Sequence, residues 1–465
     1  MLPFKQNESR KMGKELKRKF YDTLLDWKAH RANRFALLID GARRVGKSWI
    51  AEKFAQEEYG SSLVIDFSKA SRNLRTIFEE NLHDLDTFFM LLEAETGVRL
   101  VRGDALVVFD EVQQFPRARE AIKTLVADGR YHYLETGSLI SVKKNTAGIV
   151  IPSEELHCRM NPMDFEEFLW ATGRESLMDA IRTFFAERRP LGAAVHRRAM
   201  EAFRQYLVVG GMPQAVAEFA ASRDLREVDL QKRAILGLYR DDIWKHAGAA
   251  APKIERIFDE IPSQLSRHEK KFRIGDLGEG AKMRDWADAF QWLESAMFAN
   301  RCWNSTEPNV GLKMNLDSKS VKCYLADTGL LVSHAFDESE LVSENVHRRI
   351  LLDRIALNEG MLVENMAAQM LVAAGRKLYF HSESSSADSK SRMEIDFLVA
   401  KSKLARRHNV SPVEIKSGRN ATHSSLDKFR RKYSDWCAES FLFWARDVKV
   451  EDGVTYLPLY MLPLL

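Results

Sequence analysis

Gly41-Ala42-Arg43-Arg44-Val45-Gly46-Lys47-Ser48 fits the pattern G-x-x-x-x-G-K-[ST] at every fixed position. These residue types suit a triphosphate. Glycine lets backbone N–H groups approach and wrap phosphate oxygens. The helix that follows adds partial positive charge at its N-terminus. Lys47 is expected to reach the β- and γ-phosphates and Ser48 to ligate Mg²⁺. Gly41, Ala42, Arg43, Arg44, Val45, Gly46, Lys47, Ser48 and Trp49 are therefore read as the ATP-contacting stretch. Further on, Ala105-Leu106-Val107-Val108-Phe109 ends in Asp110-Glu111. An apolar run closing on two carboxylates reads as a buried parallel strand whose C-terminal end meets ligand. Asp110 is expected to hold Mg²⁺, directly or through water. Glu111 is expected to orient or deprotonate the attacking water. In Glu135-Thr136-Gly137-Ser138, Thr136 or Ser138 could sense the γ-phosphate; the alternative is a plain Ser/Gly turn.

A second constellation lies near the end. Glu364 falls in the helical segment Leu362–Val372, Asp396 in the alternating stretch Glu394–Val399, and Glu414 and Lys416 in Pro412–Lys416. Period-two alternation puts Glu414 and Lys416 on one face of a strand. Asp396 on a neighbouring strand could share a metal with Glu414. Strand termini and ordinary surface alternation would give the same pattern.

These residues need a scaffold. In the first third, short apolar runs at Phe35–Ile39, Leu63–Phe67, Ala105–Phe109 and Tyr131–Leu134 alternate with helical patterns near Lys47–Glu58, Leu85–Glu95 and Arg117–Ala127. That predicts an α/β fold, a parallel sheet with helices on both faces. The divisions expected are residues 1–160 as the nucleotide-binding core with a basic N-terminal helix, 161–248 as a helical lid broken at Gly210-Gly211-Met212-Pro213, 249–335 as helices followed by a β-hairpin, and 350–465 as a second α/β unit. The polar stretch around 335–350 reads as a linker and Ser382–Arg392 as a turn or loop. Helices followed by a hairpin suggest a winged helix, in which Lys270, Lys271, Arg273, Lys282 and Arg284 could meet DNA. Such modules also serve only to pack against a nucleotide domain.

The chain has 465 residues, 45% hydrophobic and 29% charged, which excludes a mostly disordered polymer. No apolar run approaches the twenty or so residues of a membrane span. The N-terminus lacks an apolar signal region. Cys158, Cys302, Cys323 and Cys437 are scattered without C-x-x-C spacing, so a reducing cytoplasm is expected. Net charge is +4, but residues 401–433 hold ten Lys/Arg against Glu414 and Asp427. Such a cluster suits phosphate, or is a solvated face.

GARRVGKS, VVFDEVQ and ETGS together resemble the AAA+ ATPases of the archaeal-ATPase type, which carry an uncharacterised C-terminal domain. CRMNPMDFEEFLWATG at 158–173, YLVVGGMPQAV at 206–216 and CYLADTGLL at 323–331 extend the likeness over nearly the whole chain. The chain departs from the family pattern at Cys158, where glycine usually precedes Arg159, and at Glu135, where an apolar residue is usual. The resemblance implies ATP and Mg²⁺ as ligands, a winged-helix-like middle region, and Arg159 as a charge-neutralising arginine, with Arg43, Arg44, Arg117, Arg119 and Arg130 as competitors. In AAA+ relatives that arginine comes from the adjacent subunit, which implies a homo-oligomer, a ring or a nucleotide-dependent assembly. Glu364, Asp396, Glu414 and Lys416, in that order, resemble the PD-(D/E)XK (restriction-endonuclease-like) core. There the carboxylates would bind Mg²⁺ and Lys416 would position water. The implied protein is an ATPase coupled to a nuclease-like domain on double-stranded DNA, or a nucleotide switch whose C-terminal domain only binds DNA or protein.

Overall fold

The computed structural model describes residues 15–137, 152–309, 311–336, 344–351, 359–383, 392–401, 407–418 and 422–465. Ser138 and parts of the expected linker and loop lie outside them.

The first sheet has five strands: β1 (Ala36–Asp40), β2 (Ser61–Asp66), β3 (Ala105–Asp110), β4 (His132–Gly137) and β5 (Glu155–Arg159). All pair in parallel, in the order β2-β3-β4-β1-β5. The continuous apolar runs have a direct cause. Leu37 and Ile39 of β1, with Leu106 and Val108 of β3, enter one hydrophobic core; Ala36, Leu38, Val107 and Phe109 enter another. Successive side chains point to opposite faces, so a strand covered on both faces must be apolar at every position. β5 was not expected as a strand. It is an edge strand in which only Glu155 is buried and several side chains are charged, so it lacks the apolar run that marked the others. The helix Arg72–Glu80 was also unforeseen.

Five helices follow, from Phe165–Ala171 to Leu225–Ala247. Gly210 and Gly211 interrupt them for a steric reason. A Cβ at Gly211 would meet the Met163 carbonyl, and one at Gly210 would meet the Asp327 carboxylate. Asp327 is buried and accepts hydrogen bonds from Gly211 N at 2.5 Å, Leu330 N at 2.9 Å and Gln369 Nε2 at 3.1 Å. Tyr206 Oη donates to Met163 O at 2.6 Å and accepts from Gln369. Three motif segments far apart in sequence thus meet at one buried carboxylate.

The hairpin is β6 (Ala299–Ser305) and β7 (Leu316–Leu325), antiparallel, after helices Ala251–Ser266 and Met283–Ser295. It differs from the expected wing. Its β6 edge pairs in parallel with β8 (Tyr379–Glu383), which pairs with β9 (Met393–Ile395), giving the order β7-β6-β8-β9. A sheet therefore crosses the expected division near 335–350. Lys270, one of the residues that could meet DNA, donates to the Leu265 and Arg267 carbonyls.

A third sheet holds β10 (Phe397–Ala400), β11 (Val410–Ile415), β12 (Ser440–Trp444), β13 (Lys449–Glu451) and β14 (Val454–Pro458), in the order β10-β11-β12-β14-β13. β11, β12 and β14 are parallel; β10 and β13 close the edges antiparallel. Phe441 and Phe443 face the core that holds helix Glu359–Ala373, while Leu442 and Trp444 face the core that holds helix Ser424–Lys432.

Candidate nucleotide site and a buried charge cluster

The strand order sets the first site. β4 lies between β1, which delivers the loop Gly41–Gly46, and β3, which delivers Asp110. Gly46 caps the following helix at φ 97°, a left-handed position that favours glycine. A Cβ at Gly41 would collide with the Met160 carbonyl. Lys47 Nζ donates to the Gly41 and Ala42 carbonyls at 3.0 and 3.1 Å and is buried. Burial pushes its ammonium below the ordinary lysine value, opposed by Glu111, Asp110 and Asp40. Ser48 Oγ donates to Asp110 Oδ1 at 2.7 Å. A hydroxyl and a carboxylate so close are a fitting donor pair for Mg²⁺.

Thr136, fully buried, donates from Oγ1 to the same Asp110 oxygen and accepts from the Glu111 backbone N–H at 3.3 Å. Glu111 takes a left-handed backbone at φ 54°, and its side chain accepts from Gln113 Nε2. One hydroxyl on the intervening strand thus ties both carboxylate positions together.

The arginines separate by partner. Arg119 makes a bidentate pair with Glu155 at 2.8 and 2.6 Å; Arg130 pairs with Asp128, Arg117 with Glu120 and Arg43 with Asp242. Arg44 is exposed. Arg159 is 49% exposed, with Nε 3.9 Å from Asp40 at the end of the phosphate-loop strand. His157 bridges Asp40 and Glu155, whose carboxylates raise its imidazole to about 9. Arg18 was missed in sequence. Its guanidinium donates to Glu167 Oε1 at 3.1 Å, Val45 O at 2.9 Å and Asn161 O at 2.7 Å, clamping the loop from behind. Its one signal was membership of a basic run. Trp49 is 42% exposed and lines a cavity of about 400 Å³ with Tyr21, Ile50 and Lys53.

The C-terminal residues also converge, around a residue that sequence reasoning overlooked. Lys322 of β7 has no exposed side-chain surface, and its Nζ lies 3.1 Å from Glu364, 3.0 Å from Glu394 and 3.7 Å from Asp396. Burial works against its charge, but the three carboxylates outweigh it and hold the ammonium well above its usual range. Tyr324 Oη also donates to Glu364. Burial, then the like charge of Glu364, pushes Asp396 up to about 7 against the pull of Lys322. Asp396 Oδ2 accepts from Ile415 N at 2.8 Å, Lys416 pairs with Glu414 at 2.5 Å, and the second Glu414 oxygen is buried without a hydrogen bond. Glu364, Asp396, Glu414 and Lys416 are thus neighbours, but an internal cation stands among the carboxylates. Asp396, expected to share a metal with Glu414, lies near Lys322, while Glu414 pairs with Lys416. Among the described residues, no group of three or more His, Cys, Asp or Glu is arranged to hold a metal ion.

Residues 33–169 match a family model described as an AAA domain. Residues 200–340 and 359–462 match two domains of unknown function, DUF8612 and DUF4143. No curated protein matches the chain. Among solved structures, the chain is similar to Caenorhabditis elegans PCH-2 (15% identity, 44% of this chain and 60% of that one, TM-score 0.24). The Thermotoga maritima RuvB Holliday junction branch migration motor also matches (13% identity, 62% and 90%, TM-score 0.30), as does Cdc6p from Pyrobaculum aerophilum (14% identity, 74% and 96%, TM-score 0.25). At such scores these likenesses add nothing to the strand order and loop geometry. The phosphate loop, the carboxylate strand two places along the sheet and the AAA-domain match over residues 33–169 together support a P-loop ATPase fold of AAA type for the first sheet.

Proposed function

We propose that the chain is a Mg²⁺-dependent ATPase whose nucleotide state controls a C-terminal nuclease-like module that binds a partner without cleaving it. The observation that carries the ATPase reading is the Ser48–Asp110 hydrogen bond of 2.7 Å, locked to Glu111 through Thr136. Mg²⁺ at Ser48 and Asp110 would neutralise charge on the β- and γ-phosphates. Lys47 exchanges its loop carbonyls for phosphate oxygens. Glu111 orients the attacking water and takes its proton. Arg159, exposed at the domain rim, serves the γ-phosphate of a neighbouring copy. Trp49, Ile50 and Tyr21 offer the base an apolar recess. Coupling would run through Asp327, which touches the 210–211 turn, and Gln369 of the C-terminal region. A cytoplasmic setting accords with four free cysteines. No described helix is long and apolar enough to cross a membrane.

Lys322 favours a non-cleaving module over an ATP-gated DNA endonuclease, because its ammonium pairs with Glu364 and lies 3.7 Å from Asp396, one of the two carboxylates that a nuclease would give to metal. Two measurements test the scheme. Lys47→Ala should abolish ATP binding, while Glu111→Gln should keep binding and lose about 10²–10⁴ in turnover; hydrolysis at the normal rate would remove Glu111 from its role. Wild-type protein with Mg²⁺ and ATP should leave plasmid and linear DNA intact. Cleavage that disappears in Glu414→Ala/Lys416→Ala would instead establish the endonuclease.

A further inference from the structure

A cleft of about 470 Å³ opens between the end of the ATPase sheet and the outer side of the β6–β8 pair. Arg159 and Asn161 form one wall; Arg301, Trp303, Lys377 and Tyr379 are among the other. Trp303 and Tyr379 are register partners on adjacent parallel strands, so they stand side by side and both line the cleft. Each is half-buried, Trp303 packing against the main core and Tyr379 against the C-terminal one. The charge around them is one-sided. Glu294 is the acidic residue of the lining, and Arg301 takes it, with Nε 2.8 Å from its carboxylate. Lys313 and Lys377 remain exposed, and Arg376 is held in place by the Ala400 carbonyl and a Leu465 oxygen.

We propose that this cleft binds single-stranded nucleic acid, with Tyr379 and Trp303, whose ring lies 4.7 Å from the Arg301 guanidinium, as a base-stacking platform and Lys313 and Lys377 as its phosphate contacts. Two neighbouring aromatic rings beside a row of cations match the chemistry of an unpaired strand, whose bases offer π-faces and whose backbone offers charge. A duplex hides its base faces, and an acidic peptide would use the cations but not the platform. The inference names the partner left open by the proposed switch. It is tested without ATP, so its failure leaves the ATPase reading standing.

The test is fluorescence anisotropy of the full chain with labelled dT15 and rU15, against duplex DNA and polyglutamate. Both single strands should bind, with affinity falling linearly in log salt. Lys313→Glu/Lys377→Glu should weaken binding at least tenfold. Tyr379→Ala and Trp303→Ala should each cost roughly 5- to 100-fold, the loss of one stacked base, and Trp303→Phe should keep most of the affinity. Basal ATP hydrolysis should be unchanged in the lysine variant, which reports folding. Equal affinity for duplex, displacement by polyglutamate at equal charge, or no loss in Tyr379→Ala while the lysine variant weakens would each overturn the proposal.

Discussion

Lys322→Met removes the ammonium from Glu364, Glu394 and Asp396 while keeping an unbranched apolar stem of similar length. Removing one partner of a buried ion pair costs about 3–5 kcal/mol, because the charges left behind are neither solvated nor paired. For a cooperative unit of 150–250 residues, each kcal/mol moves the midpoint by about 2–4 °C, so a fall of about 6–20 °C is expected at pH 8. The pH dependence is specific. Asp396 has a folded value of about 7, above its unfolded one, so folding takes up a proton and its contribution is lost as pH rises through 7. Without Lys322 only the Ile415 N–H opposes that rise, the window moves higher, and the deficit at pH 8 should exceed that at pH 5. Differential scanning calorimetry at the two pH values reads both effects. A shift below about 3 °C at pH 8, or one equal at the two pH values, would refute a dry cluster of carboxylates held by one ammonium. It would also remove the reason for calling the module non-cleaving.

Thr136→Val should leave Asp110 and Glu111 in sequence but unlock their geometry, lowering kcat more than it raises KM for ATP in a phosphate-release assay; unchanged kcat would make the hydroxyl merely structural. Gly211→Ala drives a Cβ into the Met163 carbonyl and should destabilise by about 1–3 kcal/mol, read as a lower thermal midpoint. His157 is raised to about 9 by Asp40 and Glu155, so its contribution is whole below about pH 6.5 and fades as pH rises through 9. The midpoint difference between wild type and His157→Asn should therefore shrink over that window, and a constant difference would disprove the link. Its half-exposed ring keeps the effect modest.

The phosphate loop was legible because its chemistry is local. Glycines, Lys47 and Ser48 must be contiguous to wrap phosphate, and an apolar strand before them must be buried on both faces. Asp110-Glu111 was readable for the same reason, as the end of such a strand. Thr136 could be named but not placed until β4 was seen between β1 and β3. The Gly210-Gly211 break was visible; its cause, the crowding of Met163 and Asp327, was not, because those atoms lie far along the chain. The order Glu364, Asp396, Glu414, Lys416 could be read as a set. Lys322 could not, since a lysine in a hairpin is ordinarily a surface residue, and it is buried among those carboxylates by the helix Glu359–Ala373 on β7 and by the strands that extend the hairpin into a sheet. Local chemistry is written in neighbouring residues. Which distant charges share a dry space is settled by strand pairing and helix packing across the whole chain, because each of those charges sits on a different element.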